Sequence, residues 1–171
     1  MNIDELVTRW SIRLALACLV LVLCGNRFAD GQKKWDSSAR ALWSTGCLLF
    51  LIHIVGAFQF YHHWSHELAY QETARQTYDA IGIRWGGGIY INYLMAIVWF
   101  ADVCWWWMAP VHRATKVIVQ RWIVGFFLFM AFNGAIVFIA GPTRWVSLAV
   151  FIMLVIFWVT RKKESATQCD S

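Results

Sequence analysis

Apolar residues fall into five long runs along this chain, separated by short polar segments. The runs cover residues 6–24, 41–61, 87–109, 117–140 and 145–160. Because a helix rises about 1.5 Å per residue, roughly 20 residues cross the hydrocarbon core of a bilayer. The middle three runs have that length, whereas the first and last need flanking arginine and lysine side chains that extend to the interface. The pattern predicts an all-α, polytopic integral membrane protein with about five transmembrane helices in a single domain.

The segment between the second and third runs, residues 62–85, has a different pattern. Apolar residues recur at helical spacing from Tyr70 to Ile81, and charged or amide side chains fill most other positions. This spacing predicts an amphipathic helix outside the bilayer core, ending at Gly82 or at the glycines 86–88. The glycine triplet lacks the spacing of a phosphate-binding loop, so we interpret it as a flexible re-entry or a point of close helix packing.

Composition supports the membrane class. Hydrophobic residues make up 60% of the chain and the mean hydropathy is +0.52, against roughly 45–50% apolar residues in soluble domains. The five cysteines are scattered without a CxxC motif, so neither a disulfide framework nor a zinc cage is expected. No nucleotide-binding loop, catalytic nucleophile or general acid–base pair is evident, and we do not expect an enzyme.

The distribution of positive charge predicts the orientation. Ten of the fifteen Lys and Arg residues belong to alternate connections and the tail, residues 161–171, which five spans would place on one side. The positive-inside rule assigns that side to the cytoplasm of a cell membrane, with the N-terminus and the 62–85 connection outside. The charges lie beside apolar runs rather than in a stripe, which argues against nucleic-acid binding. Removal of the first run as a signal peptide would place Lys33 and Lys34 outside, so we expect the run to be retained as a span.

A histidine cluster follows the second run. His62 and His66 are four residues apart, as are His63 and Glu67. On a continuous helix such pairs share a face, which would bring three imidazoles and a carboxylate within two turns. Imidazole with carboxylate suits zinc, copper or iron, and the four residues are therefore a candidate metal site. The alternative is that they anchor the segment at the interface, as Trp64 would, because one helix rarely completes a coordination sphere.

His53 lies about twelve positions into the second run and is expected deep in hydrocarbon, where an ionisable group is costly without a partner. Asn92 and Asn133 should lie in the same half of the bilayer, so that with Gln59 they could form a polar pocket around His53. As a haem ligand, His53 would need a second axial ligand from another chain, because no other run carries a histidine at that depth. The alternative is a role in hydrogen bonding between helices.

Asp102 and Arg121 are expected near the cytoplasmic ends of the third and fourth runs. An unpaired carboxylate at that depth would cost several kcal/mol or stay protonated. The sequence therefore predicts a salt bridge between Asp102 and Arg121 that clamps neighbouring helices, with a proton relay as the alternative.

Three functions are consistent with these features. The first is an accessory or scaffold subunit of a larger membrane complex, with the lipid bilayer and other membrane subunits or further copies of the chain as partners. The second is a redox or metal-binding membrane protein that uses His53 and the histidine cluster to hold haem or a transition metal. The third is a small transporter or proton-conducting protein, although the five unequal runs lack the internal repeat of many transporters.

Overall fold

The computed structural model describes residues 3–28, 33–133, 149, 151–153 and 155–156. Every regular element in this part of the chain is a helix. The helices are α1 (Ile3–Phe28), α2 (Lys33–Phe60), α3 (His66–Ile81), α4 (Gly88–Met108), α5 (Pro110–Thr115) and α6 (Val117–Phe132).

Three of these helices are long and apolar enough to cross a membrane, through the segments Leu6–Asn26, Asp36–Phe60 and Gly88–Met108. They correspond to the first three predicted runs, and the second begins five residues earlier than its apolar run does. The fourth predicted run starts as α6, which is apolar but has 16 residues, and its remainder lies outside the described residues. Most of the fifth run, 145–160, and the tail, 161–171, also lie outside them. The described part of the chain is therefore all-helical, as predicted, and contains three candidate membrane spans.

Helices α1 and α2 form an antiparallel pair. A Cβ placed at Gly56, near the end of α2, would lie 3.3 Å from the Cγ2 atom of Thr8, near the start of α1. Toward the other end of the pair, a Cβ placed at Gly46 would lie 3.1 Å from the Cβ atom of Cys18. Small side chains at this seam let the two backbones approach closely, as is common where helices pack in membranes.

Helix α4 packs against α2 through an aromatic core. The indole of Trp99 is fully buried, and its Nε1–H donates to the carbonyl oxygen of Trp43 at 3.2 Å. Ring centroids of Trp43 and Trp99 are 5.2 Å apart, and Phe127 of α6 meets Trp99 edge-on at 4.9 Å. Tilted and edge-on aromatic pairs each contribute about 0.5–1.5 kcal/mol beyond the area that they bury. This core therefore joins three helices through two tryptophans and a phenylalanine.

The connection 62–85 contains a helix, as its pattern predicts. The Oγ atom of Ser65 accepts a hydrogen bond from the N–H of Leu68 and caps the start of α3. Gly82 ends it in the left-handed conformation, with φ 76°, where a residue without Cβ avoids strain. A Cβ at Gly86 would collide with the carbonyl oxygen of Tyr70. Gly86, just before α4, therefore allows the backbone to pack closely against α3.

Candidate functional site

The polar residues singled out in the sequence occupy three separate places in the fold. The histidine cluster lies at the turn between α2 and α3, His53 lies in the seam between α1 and α2, and Asp102 lies near the end of α4. At each of these places, the side chains that contact the polar residues in the structure differ from the partners that the sequence suggested.

The predicted shared face of the histidine cluster does not form, because the helix is interrupted. Helix α2 ends at Phe60, and His63 and Trp64 adopt left-handed conformations with φ 47° and 58° before α3 begins. His62 and His66 therefore lie on opposite sides of a turn rather than one helical turn apart. Within the described part of the chain, no three His, Cys, Asp or Glu side chains are grouped so that they could hold a metal ion. The proposed set of His62, His63, His66 and Glu67 is not assembled by this geometry.

His66 instead joins α3 to α4. Its Nδ1 lies 3.2 Å from the hydroxyl of Tyr93, and its Nε2 lies 3.2 Å from the hydroxyl of Tyr90. A neutral imidazole donates from one nitrogen and accepts at the other, and a tyrosine hydroxyl can take either role. Both ring nitrogens are therefore engaged in holding the amphipathic helix against the start of the third span.

His62 packs edge-on against Phe58, with ring centroids 5.6 Å apart. Burial lowers the pKa of His62 below its ordinary value, the carboxylate of Glu72 acts in the opposite direction, and His63 lowers the pKa further. Glu72 itself has a lowered pKa, first because Arg75 donates hydrogen bonds to it, at 2.6 and 2.9 Å. Near neutral pH this side of the turn therefore presents a neutral imidazole beside an ion pair.

His53 belongs to the contact between the first two helices. Its Nδ1–H donates to the carbonyl oxygen of Thr8 at 2.8 Å, and its ring stacks on Phe50 with centroids 6.3 Å apart. The carbonyl can only accept, so the proton of the neutral ring is on Nδ1. The expected neighbours have other environments, since Asn92 is exposed on α4 and Asn133 donates to the carbonyl of Phe129 in its own helix. The geometry supports the interhelical hydrogen bond rather than a polar pocket.

Asp102 pairs with Arg113 rather than with Arg121, so the predicted partner was wrong. The Nε–H and one terminal N–H of Arg113 donate to the two carboxylate oxygens, each at 2.9 Å. The guanidinium also lies over the ring of Trp106, 4.0 Å from its centroid, whereas Arg121 is exposed on α6. The pairing arises because α4 ends at Met108 and the short α5 turns Arg113 back toward the end of α4.

A second arginine at the same end of the bundle was not singled out in the sequence. The guanidinium of Arg40 lies over Trp107, 4.4 Å from the ring centroid, and the indole N–H of Trp107 donates to Ser44 at 2.9 Å. In the sequence, this contact was indicated only by a tryptophan triplet near the end of the third run and by an arginine directly before the second run. Arg40 and Arg113 thus place two positive charges against tryptophan faces at one end of α2 and α4.

Searches for related proteins found none: no protein-family model, no curated protein and no solved structure matches this chain.

Proposed function

We propose that this chain is an accessory or scaffold subunit of a larger membrane complex, without complete catalytic machinery of its own. The observation that carries the proposal is that its interior polar groups hold helices together. Asp102 is enclosed with Arg113, and His53 donates to the backbone of α1. Residues that fix one helix to another serve the architecture of the protein, which is what a subunit needs to offer a rigid surface to its neighbours.

The two alternative functions receive less support from the geometry. A transition-metal site built from side chains requires several ligands in one place, and the described residues contain no such group. A transporter or proton channel requires a polar path through the bilayer, whereas Asp102 is neutralised by a bidentate partner near one end of α4.

The surface of the bundle also favours a subunit of an assembly. Large apolar side chains are exposed along α4 and α6, among them Ile97 at 65% and Trp122 at 77%. In a membrane such faces contact lipid or the helices of another protein. Within the described part of α6, Phe127 and Leu128 are buried while Trp122 and Phe129 are exposed.

The charge of the two ends supports the proposed orientation. Arg40, Arg113 and Lys116 lie at the end of the bundle that holds α5, while the exposed face of α3 at the other end carries Glu67 and Asp79 together with Arg75. We place the basic end and the tail in the cytoplasm, and the N-terminus and α3 outside. In this arrangement α6 is the beginning of a fourth span, and residues 145–160 supply the fifth.

The experiment is extraction of the affinity-tagged chain from its native membrane in a mild detergent, followed by measurement of particle mass. We expect a discrete particle well above the 19.8 kDa of one chain, with other membrane proteins in fixed ratio to it. A chain that runs only as a monomer or as copies of itself at native expression would count against the proposal.

The same sample serves to test the redox alternative. An ultraviolet–visible spectrum and a metal analysis should show neither a Soret band nor stoichiometric metal bound to this chain. A Soret band lost in His53→Ala, or a metal lost in His66→Ala, would replace the scaffold function with a cofactor-binding one.

A further inference from the structure

Arg13 occupies an unusual position for a charged residue. It lies within the first candidate span, Leu6–Asn26, about two helical turns after its start, and its side chain is exposed rather than turned into the bundle. A guanidinium at that depth is stabilised only if it extends toward an interface and finds a polar partner there. The phosphate of a membrane lipid is the acceptor that this surface of the protein meets.

An apolar groove lies beside this arginine. It has a volume of about 430 Å³ and is formed by Leu6, Trp10 and Leu14 of α1 together with Leu49 and Ile52 of α2. Its walls are exposed side chains, with Leu6 at 43% and Trp10 at 46%. The groove is open along its length rather than enclosed, and its almost entirely apolar lining suits an alkyl chain rather than a polar ligand.

Trp10 connects the charge to the groove. Its indole lines the groove, and the guanidinium of Arg13 lies 5.5 Å from the centroid of its ring. The tryptophan face therefore holds the positive charge at the edge of the apolar surface. A ligand that satisfied both parts would carry a negatively charged group next to a hydrocarbon chain.

We propose that Arg13 and this groove bind one phospholipid molecule, with the lipid phosphate on the guanidinium and an acyl chain between α1 and α2. Charge complementarity selects this occupant over a second apolar helix, because a helix alone would leave Arg13 without an anion. The site depends on the membrane class of the protein and not on its role as a subunit. A bound lipid would also fill the outer side of the α1–α2 seam near Ser11.

The test is native mass spectrometry of the full-length protein in detergent, titrated with phosphatidylglycerol. Phosphatidylcholine and inorganic phosphate are titrated in parallel. We expect one phosphatidylglycerol per chain, retained about tenfold more strongly by the wild type than by Arg13→Gln, as the loss of a charge-assisted pair predicts. Phosphatidylcholine should bind more weakly than phosphatidylglycerol, and inorganic phosphate should not compete, because it lacks the acyl chain.

Three further variants make the result specific to the site. Arg121→Gln removes an exposed arginine from α6, away from the groove, and should bind lipid as the wild type does. Leu14→Trp fills the groove from an exposed position and should weaken binding, whereas Leu21→Trp, exposed on the same helix outside the groove lining, should not. Equal lipid retention by Arg13→Gln and wild type, or equal losses in Arg13→Gln and Arg121→Gln, would overturn the proposal. Competition by inorganic phosphate would instead assign the site to a free anion.

Discussion

Asp102 is a charged side chain that the helices enclose almost completely, with 2% of its surface exposed. Its partner Arg113 keeps 14% of its side chain accessible and is sandwiched between the carboxylate and Trp106. The removal of two charges from water costs free energy, and the attraction between the charges often does no more than offset that cost. The pair therefore acts chiefly as a geometric constraint that holds α5 against the end of α4. Loss of only one partner should lower the stability of the protein most.

We predict that Arg113→Ala lowers the free energy of unfolding by about 3–5 kcal/mol, because it leaves the Asp102 carboxylate buried without a partner. Arg121→Ala is the matched control: it removes an exposed arginine, and its effect should be within about 0.5 kcal/mol. The double variant Asp102→Leu/Arg113→Met should recover much of the loss. Denaturant unfolding in detergent, followed by circular dichroism, measures all three. Equal effects of Arg113→Ala and Arg121→Ala would contradict the observed pairing.

At the scale of the elements, Gly46 sets how closely three helices approach. A Cβ at this position would lie 2.8 Å from Cζ2 of Trp99 on α4 and 3.1 Å from Cβ of Cys18 on α1. The first distance is shorter than side-chain carbons tolerate, and Trp99 is fully buried, so its ring has little room to move. The absence of a side chain at Gly46 is thus what admits a tryptophan between the spans.

We expect Gly46→Ala to destabilise the protein by about 1–3 kcal/mol through overpacking, partly offset by the better helix propensity of alanine. Gly125→Ala provides the control, because Gly125 also lies within a helix but a Cβ there meets nothing within 4 Å. That variant should be neutral or more stable by up to about 1 kcal/mol. Thermal unfolding of the wild type and both variants under identical conditions measures these changes in stability. A loss of stability in Gly125→Ala equal to that in Gly46→Ala would show that packing against Trp99 is not the cause.

The elements also show what the sequence could and could not predict. Helix α3 could be predicted because amphipathic periodicity is a local signal, and Gly82 was one of the two ends that the glycines suggested. The turn before it was not, because His63 and Trp64 adopt positive φ without a glycine to mark the position. That turn separates His62 from His66 and removes the shared face on which the metal-site hypothesis depended.

The error in the partner of Asp102 has a similar origin. Both Arg113 and Arg121 follow α4 in the sequence, and a choice between them requires the angle at which the chain leaves that helix. Pro110 begins α5 directly after the break at Ala109, and this short helix brings Arg113 back to the carboxylate. The first three apolar runs could be predicted because hydropathy sums over many residues, whereas a single contact depends on one turn.

At the scale of the whole molecule, three antiparallel candidate spans determine which connections share a side of the membrane. Two spans, α1 and α2, precede α3, so α3 lies on the side of the N-terminus. Three candidate spans precede α5, so α5 lies on the opposite side, where Arg40 and Arg113 lie over Trp107 and Trp106 at the end of α4. In the orientation that we propose from the distribution of positive charge, this second side is cytoplasmic.

This topology predicts the labelling of two introduced cysteines by a membrane-impermeant maleimide, in a chain whose native cysteines are replaced. Gln76→Cys, on the exposed face of α3, should be labelled in intact cells, and Lys116→Cys, exposed beyond α5, only after the membrane is opened. The reverse pattern would invert the orientation but keep the three spans. Labelling of both positions from the same side would mean that α4 does not cross the bilayer. In that case the aromatic core around Trp99 would join a membrane hairpin to a peripheral helix, and the exposed apolar face of α4 would need a protein partner rather than lipid.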